Sequence, residues 1–301
     1  SRKGYDVVYM LGYSSSFACW IPRLFGRRVW INMDGLEWRR SKWGPVARRW
    51  LKFMEGIACK AAHRLIFDNQ ALAAEVQGRR NPSAAISVLA YGAPLVVRAP
   101  SLDPVNQLGL EAQRYILMVC RFEPDNHVLE IVRAAAARRA GPPLIVIANT
   151  SENNAWQREV MALAGPLVQF LGPIYNPATL RSLRFHCQLY VHGHSVGGTN
   201  PSLLEAMGCG NFILAHSNPF NREVLGAMGG YFDNEVDLGL KLEVAERVSE
   251  RQRRMVGDGA RDRVMNYYAW DQVAAGYLEL LQFEVNRNPK STEAALHKAA
   301  S

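Results

Sequence analysis

Short apolar runs alternate with longer amphipathic stretches along almost the whole chain. In the first third, the sequence predicts buried strands at 6–11, 29–33, 64–68 and 86–90. Between them, the segments 42–61 and 70–77 have the pattern of helices. Apolar strands that alternate with helices are typical of parallel α/β units. The first third therefore predicts a sheet of parallel strands.

A second series of the same kind follows a proline-containing segment. Residues 93–113 include Pro94, Pro100 and Pro104 and have no clean period, which predicts an interdomain linker. Beyond it, strands are predicted at 115–120, 144–148, 167–171, 188–191 and 212–215. Helices are predicted at about 124–139, 153–163, 177–183 and 202–207, and the stretch 237–285 is helical and charged. The pattern predicts two α/β domains, at 1–105 and 106–268, and a polar tail at 286–301 that frays.

Length and composition limit the class of protein. A chain of 301 residues suggests two domains, at roughly 100–200 residues per domain. The five cysteines include no pair at Cys-x-x-Cys spacing, which argues against a zinc or redox motif and fits a reducing cytosol. No apolar run approaches the roughly 20 residues that span a bilayer, and no signal peptide is visible. We expect a cytoplasmic location, and the missing initiator Met predicts a fragment or a processed chain.

The net charge of +8 is unevenly distributed. Residues 1–105 carry 16 Lys and Arg against 7 Asp and Glu, whereas residues 106–301 carry 19 against 20. The positive field therefore belongs to the first third. It predicts an anionic partner for that domain, which is a membrane lipid, a phosphate-bearing substrate or a nucleic acid.

The segment from His192 to Gly208 is the most informative stretch of the chain. Two glycines, Gly197 and Gly198, allow close backbone approach, and a helix is predicted to follow. A glycine loop that leads into a helix N-terminus is a natural anion site, to which Thr199 and Asn200 add short polar side chains. A carboxylate one turn into the helix, Glu205, has the chemistry to accept hydrogen bonds from a ribose diol. The alternative is an ordinary turn followed by a helix whose glutamate complements the dipole.

This segment resembles the donor-site signature of retaining family-4 glycosyltransferases. The sequence Leu-Leu-Glu-Ala-Met at 203–207 matches that signature, and the resemblance implies that Glu205 binds the nucleotide ribose. The family also begins its C-terminal domain with a strand that ends in Gly-Arg or an equivalent, which is Val-Cys-Arg-Phe-Glu-Pro at 119–124 here. Arg121 is the match to the arginine that holds the donor diphosphate, where a guanidinium gives bidentate bonds to phosphate oxygens.

Two longer motifs together are similar to those of bacterial rhamnosyltransferases of capsule and O-antigen synthesis. They are Asp-Gly-Leu-Glu-Trp-Arg-Arg-Ser-Lys-Trp at 34–43 and Gly-His-Ser-Val-Gly-Gly-Thr-Asn-Pro at 193–201. The resemblance implies a GT-B fold of two Rossmann-like doubly wound domains, the N-terminal one incomplete, with a helix at 269–285 that crosses back to it. It also implies retention at the anomeric carbon, dTDP-L-rhamnose as donor and a lipid-linked saccharide as acceptor.

The chain departs from the family pattern at two positions. Gly197 stands where many members carry a first glutamate, so contacts to the hexose fall to Gly198, Thr199 and Asn200. Many members also carry a lysine shortly after the arginine, where this chain has Asp-Asn-His at 125–127. Three histidines, His127, His192 and His194, are candidates to compensate for the missing charge, although a packed or surface position is the better explanation for each one taken alone.

Asp34 is predicted to lie at the carboxyl end of the strand at 29–33. Ligands of open α/β sheets bind at that edge, and the carboxylate is a candidate catalytic group that orients an acceptor hydroxyl or the donor sugar. The alternative is an ordinary turn aspartate in Asp-Gly. A further carboxylate, Glu223, is a weaker candidate near the nucleotide, since a helix salt bridge explains it equally well.

A basic segment rich in aromatic residues follows at 38–53. Six cations alternate there with Trp38, Trp43, Trp50 and Phe53, a composition that suits docking on an anionic membrane surface. Nucleic-acid binding and an exposed basic helix with inward-facing rings are the alternatives. The residues assigned to the acceptor or membrane side are Glu37, Trp38, Arg39, Arg40, Lys42 and Trp43.

No Asp-x-Asp occurs in the sequence, so neither a metal nor a cofactor is predicted. Charge neutralisation of the diphosphate then falls to Arg121 and to the amides of the glycine loop. Three functions follow: a peripheral membrane glycosyltransferase, an inactive relative that still binds nucleotide sugar or a partner, and a basic nucleic-acid-binding module. No signature of a nucleic-acid-binding motif supports the third.

Overall fold

Four parallel strands form the sheet of the first unit, in the order β1-β2-β3-β4. They are β1 (Val7–Met10), β2 (Arg28–Asn32), β3 (Arg64–Phe67) and β4 (Ala85–Val88). The computed structural model describes residues 5–151 and 153–286. All four residues of β3 are buried, as expected for a central strand covered on both faces.

Three helices connect these strands: α1 (Trp20–Leu24), α2 (Pro45–Ala61) and α3 (Gln70–Arg80). Pro45 occupies the first turn of α2, where the missing amide hydrogen costs nothing. Leu51, Met54 and Ala58 recur at helical spacing and face the core. Two short 3-10 helices, at Ser16–Cys19 and Glu37–Arg39, precede α1 and α2.

The second unit contains a six-stranded parallel sheet in the order β10-β9-β8-β5-β6-β7. Its strands are β5 (Ile116–Val119), β6 (Leu144–Ile147), β7 (Val168–Phe170), β8 (Leu189–His192), β9 (Ile213–His216) and β10 (Gly230–Phe232). The chain moves outward from β5 to β7 and then continues on the other side of β5, from β8 to β10. The direction of winding therefore reverses between β5 and β8.

Asparagine side chains cap the helices that surround this sheet. Asn154, Asn176, Asn200, Asn218 and Asn234 each accept a hydrogen bond from a first-turn amide of the helix that follows. The helices are α4 (Asp103–Gln107), α5 (Val128–Ala136), α6 (Ala155–Met161), α7 (Pro177–His186), α8 (Pro201–Gly208), α9 (Pro219–Leu225), α10 (Glu235–Arg247) and α11 (Glu250–Tyr267).

The last described helix, α12 (Trp270–Asn286), belongs to the first unit. Its buried Glu284 accepts a 2.8 Å hydrogen bond from Arg28 Nε, and Tyr277 Oη lies 3.0 Å from Tyr9 Oη. Among the described residues, the first unit thus comprises 5–91 and α12, and the second unit is Gly92–Ala269. None of the helices in the described ranges has the length and apolar content to cross a membrane.

Every one of the nine predicted strands overlaps an observed strand, so the predicted α/β class is confirmed. The division between units falls after Tyr91 rather than after residue 105, because the amides of Ala93 and Val96 donate to carbonyl oxygens of the second unit. The helix expected from about 124 begins only at Val128, since His127 has a left-handed backbone with φ of 51°. The strand β10 was not predicted, and the predicted tail after residue 286 lies outside the described residues.

Candidate functional site

The loops that follow β5, β8 and β9 lie side by side at one edge of the second sheet. Since β5 and β8 are neighbours and the winding reverses between them, this edge is the topological switch point of the sheet. In open α/β sheets, ligands bind outside the carboxyl ends of the strands at such a point. Arg121 follows β5, and the glycine loop of residues 193–200 follows β8.

Hydrogen bonds hold the first two loops together. Buried Asn126 donates through Nδ2 to the carbonyl oxygen of Arg121 at 2.7 Å, and its Oδ1 lies 3.0 Å from His194 Nδ1. The carbonyl oxygen of Asp125 accepts from both the amide and the hydroxyl of Ser195, at 3.1 and 2.9 Å. The backbone that carries Arg121 is therefore fixed against the glycine loop.

Gly193 lets these loops approach each other. A Cβ atom at this position would lie 2.0 Å from the backbone oxygen of Asn126 and 2.6 Å from Ile131 Cδ1. Backbone atoms do not move aside as a flexible side chain does, so only glycine fits here. The sequence motif at 193–201 thus contains a glycine required for packing as well as those that shape the loop.

The glycine loop presents unbonded amides. Gly197 has a φ of 123°, and both Gly197 and Gly198 are buried together with Thr199. Within the ranges that the structure describes, the amides of Gly197 and Gly198 have no hydrogen-bond acceptor. Amides of this kind form a concave site for an anion.

The first turn of α8 was expected to offer its amides to an anion, but these amides are bonded within the protein. Asn200 Oδ1 accepts from the amide of Ser202 at 2.9 Å, and the amides of Leu203 and Leu204 donate to the carbonyl oxygen of Asn200. These groups are therefore occupied within the protein, and Asn200 acts as the helix N-cap. The amides available to an anion lie earlier, in the glycine loop.

Arg121 lies in the loop that follows β5, beside the glycine loop. Its side chain is 52% exposed, and its ion pair with Glu123 is long, at 3.9 Å. A charge held this loosely remains available to a ligand, because an ion pair at that distance in contact with water is weak. Arg121 and the two amides thus lie in neighbouring loops at the same edge of the sheet.

Glu205 forms an ion pair with an arginine that the sequence analysis did not single out. Arg184 Nη2, on α7, lies 2.7 Å from Glu205 Oε2, and the Arg184 side chain is 6% exposed against 40% for Glu205. Ser202 Oγ donates to the carbonyl oxygen of Val119 at 3.0 Å, so the same helix is fixed to β5. In sequence, Arg184 is one of several arginines in a helical stretch, and only the fold shows that it is buried.

Four histidines, His127, His192, His194 and His216, lie near the same edge, and burial keeps His192 and His216 neutral at neutral pH. Burial lowers the pKa of His216 to about 4, and the neighbouring His127 lowers it further. The two rings stack with centroids 4.0 Å apart. Burial also lowers the pKa of His192 well below its ordinary value. His192 therefore does not supply the positive charge for which it was a candidate.

Glu223 lies on α9, after β9, and its backbone oxygen accepts a 2.7 Å hydrogen bond from Arg263 Nη2 of α11. No group of three or more His, Cys, Asp or Glu side chains suited to a metal ion occurs in the described part of the chain. The second unit thus brings Arg121, the glycine loop, Glu205 and Glu223 to one end of its sheet.

Asp34 lies in the first unit, just beyond the carboxyl end of β2. The side chain is exposed, and its Oδ1 accepts a 3.3 Å hydrogen bond from Tyr91 Oη. Burial, with a smaller contribution from Asp34, raises the pKa of Tyr91 to about 12. Tyr91 therefore remains a hydroxyl donor to this carboxylate throughout the physiological range.

The residues assigned to the acceptor or membrane side are bonded to carboxylates of the first unit. Glu37 pairs with Arg40 and Lys42 and accepts from Trp43 Nε1 at 2.9 Å. Arg39 pairs with Glu75. Trp38 Nε1 donates to Glu55 Oε2 at 2.8 Å, and cations lie over its ring. The indole nitrogens of Trp38 and Trp43 are therefore held by carboxylates of the unit, whereas the Arg39 and Lys42 side chains stay exposed.

Comparisons with known proteins agree with this architecture. The chain is similar to sucrose-phosphate synthase from Thermosynechococcus elongatus, with a TM-score of 0.82 and 16% identity over 95% of this chain and 75% of that one. HepE from Anabaena in complex with UDP-glucose gives a TM-score of 0.78 and 15% identity over 92% and 79% of the chains. The trehalose-phosphate synthase of Burkholderia xenovorans gives 0.73 and 13% over 92% and 74%.

These structures define the fold class. The chain has the GT-B glycosyltransferase fold, with two parallel-sheet α/β units. The family model described as a domain of unknown function, DUF1972, matches residues 6–94. No curated protein sequence matches the chain at a significant level.

Proposed function

We propose that this protein is a glycosyltransferase whose second unit binds the nucleotide-sugar donor. The observation that carries the proposal is the site at the switch point of the second sheet. There, the half-exposed Arg121 and the unbonded amides of Gly197 and Gly198 lie in loops joined by Asn126 and Ser195. A cation beside free amides suits a diphosphate.

Glu205 is the proposed ligand of the nucleotide ribose. One carboxylate oxygen is held by Arg184, and the side chain is 40% exposed, so it remains accessible to a ligand. A carboxylate fixed in this way accepts hydrogen bonds from a diol without first losing side-chain freedom. Glu223 is a weaker candidate contact to the nucleotide.

Stabilisation of the leaving diphosphate is the main catalytic contribution that we propose. Arg121 and the loop amides would neutralise the charge that develops there, without a metal ion or other cofactor. Thr199 and Asn200 remain candidate contacts to the sugar, the latter through its backbone, since its side chain caps α8. Asp34 is the candidate to orient an acceptor hydroxyl or the donor sugar.

The finer assignment rests on the sequence motifs. Their resemblance to rhamnosyltransferases supports a retaining transfer of L-rhamnose from dTDP-L-rhamnose to a lipid-linked saccharide during capsule or O-antigen synthesis. HepE, a similar structure, is in complex with UDP-glucose, so uridine nucleotides are the first competitors to test. We propose that the protein works in the cytoplasm, as a peripheral protein on the inner face of the membrane.

Calorimetric titration with dTDP, dTDP-L-rhamnose and UDP-glucose tests the donor site. Both Arg121→Gln and Glu205→Gln are expected to weaken binding about 10- to 100-fold, the range for a lost hydrogen bond to a charged group. Arg114→Gln is the matched control, because that arginine is exposed and pairs with the equally exposed Glu111 three residues before it. Unchanged affinity in both site variants would contradict the proposed site.

A turnover assay separates an enzyme from an inactive relative that only binds nucleotide sugar. Release of dTDP from dTDP-L-rhamnose with an acceptor present supports the first, and tight binding without release supports the second. Nothing in the fold favours the nucleic-acid-binding alternative, since cations already lie over the Trp38 and Trp43 rings that would stack on bases.

A further inference from the structure

The first unit exposes an apolar surface built from two neighbouring elements. The 3-10 helix at Ser16–Cys19 and the helix α1 place five large apolar side chains in solvent, and Leu24 is 84% exposed. We call the whole set the apolar face: Phe17, Trp20, Ile21, Leu24, Phe25, Val46, Trp50 and Phe53. Single exposed apolar residues are ordinary, but a group of this size marks an interaction site.

The helix α2 completes the apolar face. Val46, Trp50 and Phe53 recur at spacings of four and three, so they form one stripe on the helix. Other positions of α2, Leu51 and Met54 among them, are buried in the core. The ring of Trp50 contacts those of Phe17 and Phe53, with centroids 6.3 and 6.4 Å apart, which joins α2 to the first element.

Cations border the apolar face. Arg49, Lys52 and Lys60 are exposed on α2, and Arg23 lies over the Trp20 ring at 5.4 Å. Acidic residues do not interrupt the segment 38–54, and Glu55, which follows it, is fully buried. The surface therefore combines aromatic rings with accessible positive charge.

We propose that the apolar face docks on the interfacial layer of an anionic lipid bilayer. Tryptophan and phenylalanine partition into that layer, and lysine and arginine are attracted to its phosphates. A second copy of the chain fits less well, because a two-fold contact would bring the same cations face to face. The proposal deepens the proposed function, because an enzyme with a lipid-linked acceptor must work at the membrane. The docking itself is argued from the surface, and only the purpose of the docking rests on the proposed function.

The structure thus changes which aromatic residues meet the lipid. Trp38 and Trp43 were assigned to the membrane from sequence, but their indole nitrogens donate to Glu55 and Glu37. Trp20 and Trp50 are about half-exposed and lie within the apolar face. They are the tryptophans that we expect to insert at the bilayer surface.

Vesicle flotation with the 301-residue protein tests the proposal. One set of vesicles contains phosphatidylcholine with about 30% phosphatidylglycerol, and the other contains phosphatidylcholine alone. We expect the protein to float with the anionic vesicles and to remain largely unbound with the neutral ones. Binding should weaken at about 0.5 M salt, which screens exposed charges.

Two double variants separate the apolar contribution to lipid binding from the electrostatic contribution. Ile21→Ser with Leu24→Ser is expected to lower the partition coefficient at least about tenfold, through lost apolar burial. Its matched control is Val236→Ser with Leu240→Ser, which removes two similarly exposed side chains from α10 of the second unit. Arg49→Gln with Lys60→Gln should lower the coefficient roughly 30-fold, and Arg247→Gln with Arg251→Gln is its control.

The outcome is decided by flotation, light scattering and donor titration on the same samples. Equal flotation of the Ile21–Leu24 variant and the wild type, or no flotation of the wild type, would overturn the proposal. A dimer that the same double variant dissociates would assign the face to a second copy and overturn it as well. Nucleotide-sugar affinity should be the same in all these variants, so failure of the donor site is recognised separately.

Discussion

Arg184 on α7 holds Glu205 on α8 through an ion pair of 2.7 Å. The arginine is buried and the glutamate is partly exposed. The buried guanidinium therefore fixes the orientation of the partly exposed carboxylate. A third element shares the arrangement, because Tyr190 of β8 and Arg184 both contact the hydroxyl of Ser202. The proposed ribose ligand is therefore set in place before a nucleotide arrives.

Replacement of Arg184 should affect both stability and binding. We expect Arg184→Met to cost about 1–3 kcal/mol in the free energy of unfolding, below the full cost of breaking a buried pair because Glu205 is partly hydrated. Nucleotide affinity should fall about tenfold, since Glu205 loses its orientation. Denaturant unfolding and calorimetry measure the two effects.

The control for this pair is Arg133→Gln. Arg133 pairs with Glu159 between two exposed side chains, and its loss should change stability by less than about 0.5 kcal/mol. Equal effects of the two substitutions would show that the Arg184 pair has no special role.

A methyl group at Gly193 should separate the two loops of the proposed donor site. Gly193→Ala places a Cβ against the backbone of Asn126, and we expect a loss of about 2–3 kcal/mol or more in the free energy of unfolding. Nucleotide binding should weaken together with it, since Asn126 holds Arg121. Gly239→Ala, on α10 with no atom near the added methyl group, should instead stabilise the protein by about 0.5–1 kcal/mol.

Glu55 is a buried carboxylate of the first unit. We expect it to make the free energy of unfolding of this unit depend on pH in the acidic range. Burial alone would raise its pKa, but hydrogen bonds from Arg79, Arg80 and Trp38 keep the pKa below its ordinary value. The stabilisation is therefore complete above the unfolded value of about 4.3 and is lost as the pH falls through the lower folded value.

Glu55→Gln tests this dependence. The substitution should cost about 2–4 kcal/mol at neutral pH, because two arginines lose their buried partner. Glu250→Gln, which removes an exposed pair with Arg254, should have almost no effect. A Glu55→Gln protein that unfolds like the wild type at neutral pH would contradict this account.

The histidines at the switch point should destabilise the second unit in mild acid. The pKa of His216 lies near 4 in the folded protein, against 6.5 for an ordinary histidine. Because the unfolded chain binds more protons between these values, stability falls as the pH drops through that interval. The His216→Asn protein should show a smaller fall in its unfolding temperature over this interval than the wild type, and equal falls in the two proteins would contradict the assignment.

Apolar periodicity was sufficient to predict nine of the ten described strands, because each of these nine is part of an apolar run between helices. The strand β10 has only three residues and begins with Gly230, so it has no such run. The end of the first unit was predicted too late for a related reason. A proline-containing segment marks a connection, but only backbone hydrogen bonds such as that from Val96 to Gly208 decide which unit holds it.

The candidate donor residues came from motifs, and the fold brought Arg121 and the glycine loop together at one edge. Arg184 was missed because charge burial depends on neighbours distant in sequence. The basic segment at 38–53 shows the reverse case, in which side chains expected to be open to solvent are bound within the protein. Its composition suggested an open surface at Trp38 and Trp43, whereas Glu55 and Glu37 bind both indoles, and no local pattern reveals that partnership.

The chain leaves the first unit after Tyr91 and returns to it at Trp270, so the second unit is an insertion in the covalent order of the first. A chain that ended before Trp270 would still contain the whole second unit. The N-terminal part of the first unit would, however, lose Glu284, which is the buried counterion of Arg28 and Arg64. Loss of α12 would therefore damage the unit that contains the strands β1 to β4 and spare the second unit.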